Sequence, residues 1–159
     1  MKIPIVGLGV DVHAFAQEDE NSELWVAGLH WEGNGLDGHS DGDPIAHAIA
    51  DALLNAARLG DLGSNFGVAE PEWAGAPGVK ILSETARRVR EAGYEIGNVS
   101  AQLIGNKPKF SPQRKAAEEV LTKAIGARVT ISATTTDGLG FTGKGEGLAG
   151  LATALIYEI

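Results

Sequence analysis

Residues 39–63 read HSDGDPIAHAIADALLNAARLGDLG, and the fold turns on how this stretch is read. Asp43 stands where a helix N-cap belongs, and Pro44 takes the first helical position, where its missing N–H is no loss. Ile45, Ile49, Leu53 and Leu54 then recur among alanines, which predicts an amphipathic helix from Pro44 to Leu59, stopped by Gly60. Asp41 and Gly42, ahead of the cap, read as turn chemistry. A helix with so wide an apolar face needs another layer to cover it, so its flanks decide the class.

Upstream, residues 2–12 (KIPIVGLGVDV) and 24–28 (LWVAG) read as strands, separated by the acidic loop AQEDENS at 16–22. Downstream comes a loop over 60–78, long enough to suggest function. A helix from Val79 to Ala92, a strand EIGNVSAQLIGN at 95–106, a helix from Pro112 to Ile125, and strands Val129–Ala133 and Leu148–Tyr157 follow. The order β, β, α, α, β, α, β implies an α+β fold, a mixed sheet with helices packed on one face. At 159 residues, without repeats or a long linker, the chain suits a single compact domain spanning 1–159.

The net charge of −8 argues against a nucleic-acid backbone or an anionic membrane as a general partner, so any anion must be bound locally. No apolar run reaches the length of a membrane span, and MKIPIVGLGVDVH lacks the layout of a secretory or transit signal, so a cytoplasmic location is expected. Cysteine is absent, which leaves His, Asp and Glu as the donors for any transition-metal site.

Asp11 and His13 lie two apart on a predicted strand, so both side chains emerge on one face. His47, in the first turn of the 44–59 helix, is placed to join them, and Asp, His and His with an open fourth position is the donor set of a catalytic zinc site. Asp-x-His alone also fits a solvated strand edge. Asp51, one turn beyond His47, favours the shared site, because a carboxylate there would accept the other imidazole N–H. His47, Asp51 and Arg58 would then form one polar stripe on an otherwise apolar helix. His39 and Ser40 approach the helix N-terminus, where backbone N–H groups favour phosphate.

The glycine-rich tail holds two motifs that fail on context. GEGLAG (145–150) fits the dinucleotide fingerprint but enters a terminal strand, with no room for a βαβ unit. GLGFTGKG (138–145) nearly matches a P-loop, yet Gly145 stands where Ser or Thr would hold Mg²⁺. Three threonines, Thr134 to Thr136, and the permissive glycines still offer donors to phosphate, and Lys107, Lys109, Arg114 and Lys115 add a local basic cluster. The residues alone describe a small metal-dependent enzyme acting on a phosphorylated compound.

Four separated motifs, DVHAF, HSDGDPIAHAIADALLNAARLGDLG, GNKPK and ATTTDGLGFTGKGEG, together resemble the 2-C-methyl-D-erythritol 2,4-cyclodiphosphate synthase family of the non-mevalonate isoprenoid pathway, over nearly the whole chain. The resemblance implies conversion of 4-diphosphocytidyl-2-C-methyl-D-erythritol 2-phosphate to the cyclic diphosphate with release of CMP, in a homotrimer with sites between subunits. It implies Zn²⁺ at Asp11, His13 and His47, and Mg²⁺ or Mn²⁺ bridging the substrate diphosphate. His39 and Thr135 match catalytic positions, and Ser40 a phosphate contact. Asp61, Leu62 and Gly63 match a methylerythritol and ribose region. The segment Gly105, Asn106, Lys107, Pro108, Lys109, Phe110 and Ser111 matches a cytosine pocket, read mainly by backbone groups. Thr134, Thr136, Asp137, Phe141 and Lys144 match further substrate contacts, and Asp51 remains the carboxylate behind the metal.

The chain departs from the common family pattern at Val68, Glu70, Asp137, Gly138 and Lys144, where Asp, Asp, Glu, Lys and Arg are frequent. His30 matches no motif. Two other readings stand beside the synthase: a phosphohydrolase that activates water on the same metal, and a non-catalytic binder of cytidine phosphates or isoprenoid diphosphates.

Overall fold

In the computed structural model, which describes residues 2–17, 20 and 22–159, the elements run β1 (Ile5–Ala14), β2 (Leu24–Val26), β3 (Leu29–Trp31), α1 (Pro44–Ala56), α2 (Leu62–Phe66), α3 (Gly78–Glu91), β4 (Tyr94–Ile104), α4 (Arg114–Ile125), β5 (Arg128–Thr134), α5 (Gly140–Gly143) and β6 (Gly147–Glu158). The main sheet has the order β1-β6-β4-β5. β6 is antiparallel to both of its neighbours, while β4 and β5 are parallel and joined through α4. The sheet is therefore mixed, and α1, α3 and α4 cover one of its faces. β2 and β3 form a separate two-stranded hairpin, so the segment read as a second sheet strand lies outside the main sheet. The acidic stretch 16–22 falls partly outside the described residues.

Most element ends shift by one to three residues, and three regions differ from the sequence expectation in kind. α1 ends at Ala56 rather than Leu59, because Arg58 adopts a left-handed backbone (φ 58°) before Gly60 is reached. Arg58 is thus off the helix and outside the polar stripe. The loop 60–78 contains α2 and a 3₁₀ turn at Pro71–Trp73, and Pro112 sits in a second 3₁₀ turn that precedes α4.

The apolar alternation of β1 points the opposite way from a simple core strand. Val6, Leu8, Val10 and Val12 are exposed, whereas Gly7 and Gly9 are buried and face α1. A Cβ on Gly9 would lie 2.0 Å from the Ala48 carbonyl oxygen, and one on Gly150 of β6 2.2 Å from that of Pro44. With no side chains there, the helix backbone rests directly on β1 and β6. Ile45, Ile49, Leu53 and Leu54 are fully buried, joining Leu82, Val89, Val99, Leu121, Ile125 and Ile156 in one core.

Candidate metal centre and substrate loops

Because Asp11 and His13 share the glycine face of β1, both project toward α1, and the close helix contact brings His47 to them. Asp11 Oδ2 lies 2.6 Å from His13 Nε2 and 3.2 Å from His47 Nδ1, and the two imidazole nitrogens are 3.4 Å apart. Two neutral nitrogens and a carboxylate oxygen suit Zn²⁺, whose donors at about 2.0–2.1 Å in a tetrahedron stand roughly 3.3 Å from one another. The spacing therefore fits one ion with a position left open, and among the described residues this is the one such cluster of three donors. Burial alone would push the Asp11 carboxyl up, but hydrogen bonds with His13 and His47 outweigh it and hold it at about 2. Burial would likewise push the His47 imidazole down, and the Asp11 carboxylate reverses that and raises it. His47 is only 3 % exposed.

Asp51 has a different partner from the one its spacing suggested. Its Oδ1 accepts the Leu62 N–H at 2.6 Å, tying α1 to α2, while burial raises its carboxyl. The far nitrogen of His47, Nε2, faces Asp41 instead, with Oδ1 at 3.8 Å. Helical periodicity put Asp51 on the right face but carries no information about a loop that folds back over the helix start.

Residues 39–41 are laced to the segment before α3. The His39 carbonyl accepts from Gly75 N–H at 3.1 Å, the Ser40 hydroxyl donates to the Ala76 carbonyl, and Asp41 Oδ2 accepts from Gly78 N–H at 2.7 Å. The His39 side chain itself is exposed. Asp61 caps α2 in a reciprocal pair with Ser64, whose backbone N–H lowers the Asp61 carboxyl. Leu62 has its N–H committed to Asp51, and Gly63 is exposed.

The remaining predicted contacts gather at the same end of the sheet, near its other edge. Ile104 pairs with Thr134, and Gly105 N–H donates to the Thr134 carbonyl at 3.0 Å, so the loops after β4 and β5 leave side by side. Asn106 Nδ2 donates to the Gly143 carbonyl at 2.8 Å, bringing α5, with Phe141 in it and Lys144 just after it, into the group. Lys107, Lys109 and Ser111 are exposed and Pro108 is half-buried. Phe110 is buried and stacked on Trp31 at 5.8 Å, so its side chain belongs to the core and its backbone alone faces the loop. Thr134 and Thr135 are exposed, whereas the Thr136 hydroxyl is engaged within the turn, with Leu139 and Thr142. Asp137 and Gly138 are consecutive left-handed residues (φ 52° and 81°), a conformation that Asp and Gly enter more readily than Glu and Lys.

One residue does more than its motif announced. Asp43, fully buried, caps α1 through Ile45 and Ala46 N–H groups and also accepts from Ala27 at 2.8 Å and Gly28 at 2.7 Å. The cap was legible; the clamp on the β2–β3 turn, made across 15 and 16 residues, was not.

The chain is a mixed α+β domain with an Asp/His/His cluster, able to hold a metal ion, at the seam of β1 and α1, and with threonine- and glycine-rich loops at the same sheet end. The model of the YgbB family matches residues 5–157. The 2-C-methyl-D-erythritol 2,4-cyclodiphosphate synthase of Acidothermus cellulolyticus is 54 % identical over 156 residues, covering 98 % of this chain and 95 % of that one. The bifunctional IspDF of Campylobacter jejuni superposes with a TM-score of 0.92 at 32 % identity, over 100 % of this chain and 43 % of the larger one. A 2C-methyl-D-erythritol-2,4-cyclodiphosphate synthase solved in a CDP-bound form has a TM-score of 0.84 at 31 % identity, covering 95 % of this chain and 99 % of that one. The chain belongs to the YgbB family.

Proposed function

We propose that the protein converts 4-diphosphocytidyl-2-C-methyl-D-erythritol 2-phosphate to 2-C-methyl-D-erythritol 2,4-cyclodiphosphate and CMP, as a homotrimer with sites between subunits. The observation that carries this reading is the Asp11–His13–His47 triad, set at the sheet end that also presents the 105–111 and 134–137 loops. The names of the relatives support the product, and the CDP-bound neighbour supports a cytidine diphosphate ligand.

In the proposed reaction an oxygen of the 2-phosphate attacks the β-phosphorus, and the bond from that phosphorus to the oxygen bridging the two phosphates breaks. CMP leaves with that electron pair, and no water is consumed. Such a transfer needs positioning and charge stabilisation more than proton transfer. Asp11, His13 and His47 would hold Zn²⁺, which supplies a Lewis acid for a phosphate oxygen. A second divalent ion, Mg²⁺ or Mn²⁺, would neutralise charge on the substrate diphosphate. His39 and Thr135, both exposed, are assigned to the developing charge, and Ser40 to phosphate once its hydroxyl leaves the Ala76 carbonyl. Asp61 to Gly63 would meet the methylerythritol, the backbone of Gly105 to Ser111 the cytosine, and Thr134, Asp137, Phe141 and Lys144 the diphosphate arm.

β1 and β4 are separated by β6, so the triad and the cytosine loop of one chain lie two strand spacings apart, about 10 Å or more. In the proposed trimer, a subunit interface would place a neighbour's loop against the triad and so complete one compact site. The exposed apolar face of β1 supplies a surface for that interface.

³¹P NMR of protein with the linear substrate, with and without chelator, tests the reading. Cyclic diphosphate and CMP that vanish with chelator are expected. Inorganic phosphate would instead mark a hydrolase, and an unchanged spectrum a binder.

A further inference from the structure

Among the described residues, His47 Nε2 is a buried polar atom with no hydrogen-bond partner, on a ring that is itself almost wholly enclosed. Buried imidazole nitrogens are rarely left this way, and a ring that ligates through one nitrogen must protonate the other. His47 Nδ1 points at Asp11 and His13, so Nε2 is the nitrogen that carries hydrogen in a metal-holding ring. The nearest carboxylate to Nε2 is that of Asp41, 3.8 Å away.

Asp41 is itself held in place. Its Oδ1 accepts from Asp43 N–H at 3.0 Å and its Oδ2 from Gly78 N–H at 2.7 Å, at the first residue of α3. The Ser40 hydroxyl also stands 3.4 Å from Oδ1, although its proton goes to the Ala76 carbonyl. A carboxylate has about four acceptor positions, two on each oxygen, so Oδ1 can still take the His47 donor. Gly78 fits closely behind it, since a Cβ there would stand 3.0 Å from Asp41 Oδ1.

We infer that Asp41 is a positioning residue for the metal centre, taking the Nε2–H of His47 and so holding the ring with Nδ1 toward Asp11 and His13. The inference rests on the reading of Asp11, His13 and His47 as a metal site. The 3.8 Å separation exceeds hydrogen-bond length, and Asp41 is anchored on two backbone N–H groups, so the closing movement falls to the imidazole. Through Gly78 the same carboxylate joins the metal centre to the start of α3, where the 39–41 and 75–78 segments are hydrogen-bonded to each other.

Two measurements on the full chain test this, with zinc as the sole added ligand. In competition against a chromophoric chelator, Asp41→Asn and Asp41→Ala should bind zinc roughly ten- to a hundredfold more weakly than wild type, with unchanged circular dichroism. In ¹⁵N NMR of the zinc-loaded wild type, His47 should show a protonated Nε2 and an unprotonated Nδ1, as ligation through Nδ1 requires, and its Nε2–H should be shifted downfield by a carboxylate partner; in Asp41→Asn, where the acceptor is neutral, that proton should move upfield, a change that a purely structural Asp41 would not produce. Variant affinities within about threefold of wild type overturn the inference, as does a His47 protonated on Nδ1. Should both variants fail to fold, the ¹H shift of the Nε2–H in the zinc-loaded wild type decides: a strongly downfield proton marks a carboxylate partner, and one at the position of an unpartnered imidazole N–H overturns the inference. Neither measurement uses the cytidine substrate, so a protein that passes both but forms no cyclic diphosphate overturns the proposed reaction and not the role of Asp41. Full zinc binding by His47→Ala overturns the metal site and this inference together.

Discussion

Gly9 on β1 lies beneath the Ala48 carbonyl of α1 so closely that a Cβ would stand 2.0 Å from its oxygen and 2.7 Å from Ala52 N. Both neighbours are helix backbone, which cannot rotate away as a side chain tip would. The contact sets the height of α1 over the sheet and, with it, the reach of His47 to Asp11. Gly9→Ala should therefore destabilise the fold by about 1–3 kcal/mol or more and weaken zinc binding in the same variant. Urea denaturation and chelator competition check both effects, and an unchanged zinc affinity would show that the seam tolerates a lifted helix.

Asp43 accepts four backbone N–H groups, two from the first turn of α1 and two from the β2–β3 turn. Truncation removes a cap and strands buried donors, so Asp43→Ala should cost about 3 kcal/mol or more. Asp43→Asn keeps one acceptor oxygen and should recover part of the loss. Denaturation midpoints for the two variants measure the difference; equal midpoints would mean that charge, not acceptor count, matters at this position.

The contrast between Asp43, Asp51 and Asp41 shows where sequence reading ends. Asp43 and Pro44 announce a helix start by local chemistry, and Asp11 and His13 announce a shared face by strand periodicity; both kinds of signal act within a few residues. The mixed sheet and its one helical layer were legible for the same reason. The strand at 24–28 was legible too, but its pairing with β3 in a separate hairpin was not, and neither was α2, elements three to five residues long with too few turns for periodicity to register. Asp41 reads as a turn residue because its partner at Gly78 is 37 residues away, and Asp51 reads as the partner of His47 because the Leu62 backbone that claims it is invisible to side-chain spacing. Long-range backbone acceptors of this sort leave no pattern in the chain.

Glu84 bonds Arg87 at 2.8 Å and Arg88 at 2.9 Å, and the Arg87 bond does most to hold its carboxyl at about 2. Arg88 in turn donates to Asn65 at 3.1 Å, whose amide holds the Leu59 and Asp61 carbonyls at the start of α2. A folded-state value below the ordinary carboxylate range means that the stabilisation is complete above about pH 4.5 and is lost as pH falls toward 2. Relative to Glu84→Gln, the wild type should lose its advantage across that window. The pairs face solvent, so the advantage should amount to tenths of a kcal/mol up to about 1 kcal/mol. Thermal melts at pH 6, 4 and 2.5 would check the sign, and a gap that widened in acid would contradict it.

The outer face of β1 presents Val6 at 65 %, Leu8 at 57 %, Val10 at 53 % and Val12 at 49 % exposure, and Val10 pairs across the strand with Leu151 of β6, itself 38 % exposed. Four alternate apolar side chains on one open strand exceed the scattered exposure normal for a monomer surface, while the polar Ser100, Gln102, Thr130 and Ser132 occupy β4 and β5. If the proposed trimer buries this face, a charge there is desolvated in the assembly but stays in water in the isolated subunit. Val10→Glu should therefore convert trimer to monomer in sedimentation analysis while leaving the circular dichroism spectrum unchanged. Because the triad and the cytosine loop are then supplied by different subunits, CMP release should fall with the trimer and zinc binding should persist. A Val10→Glu protein that still sediments as a trimer would place the interface elsewhere.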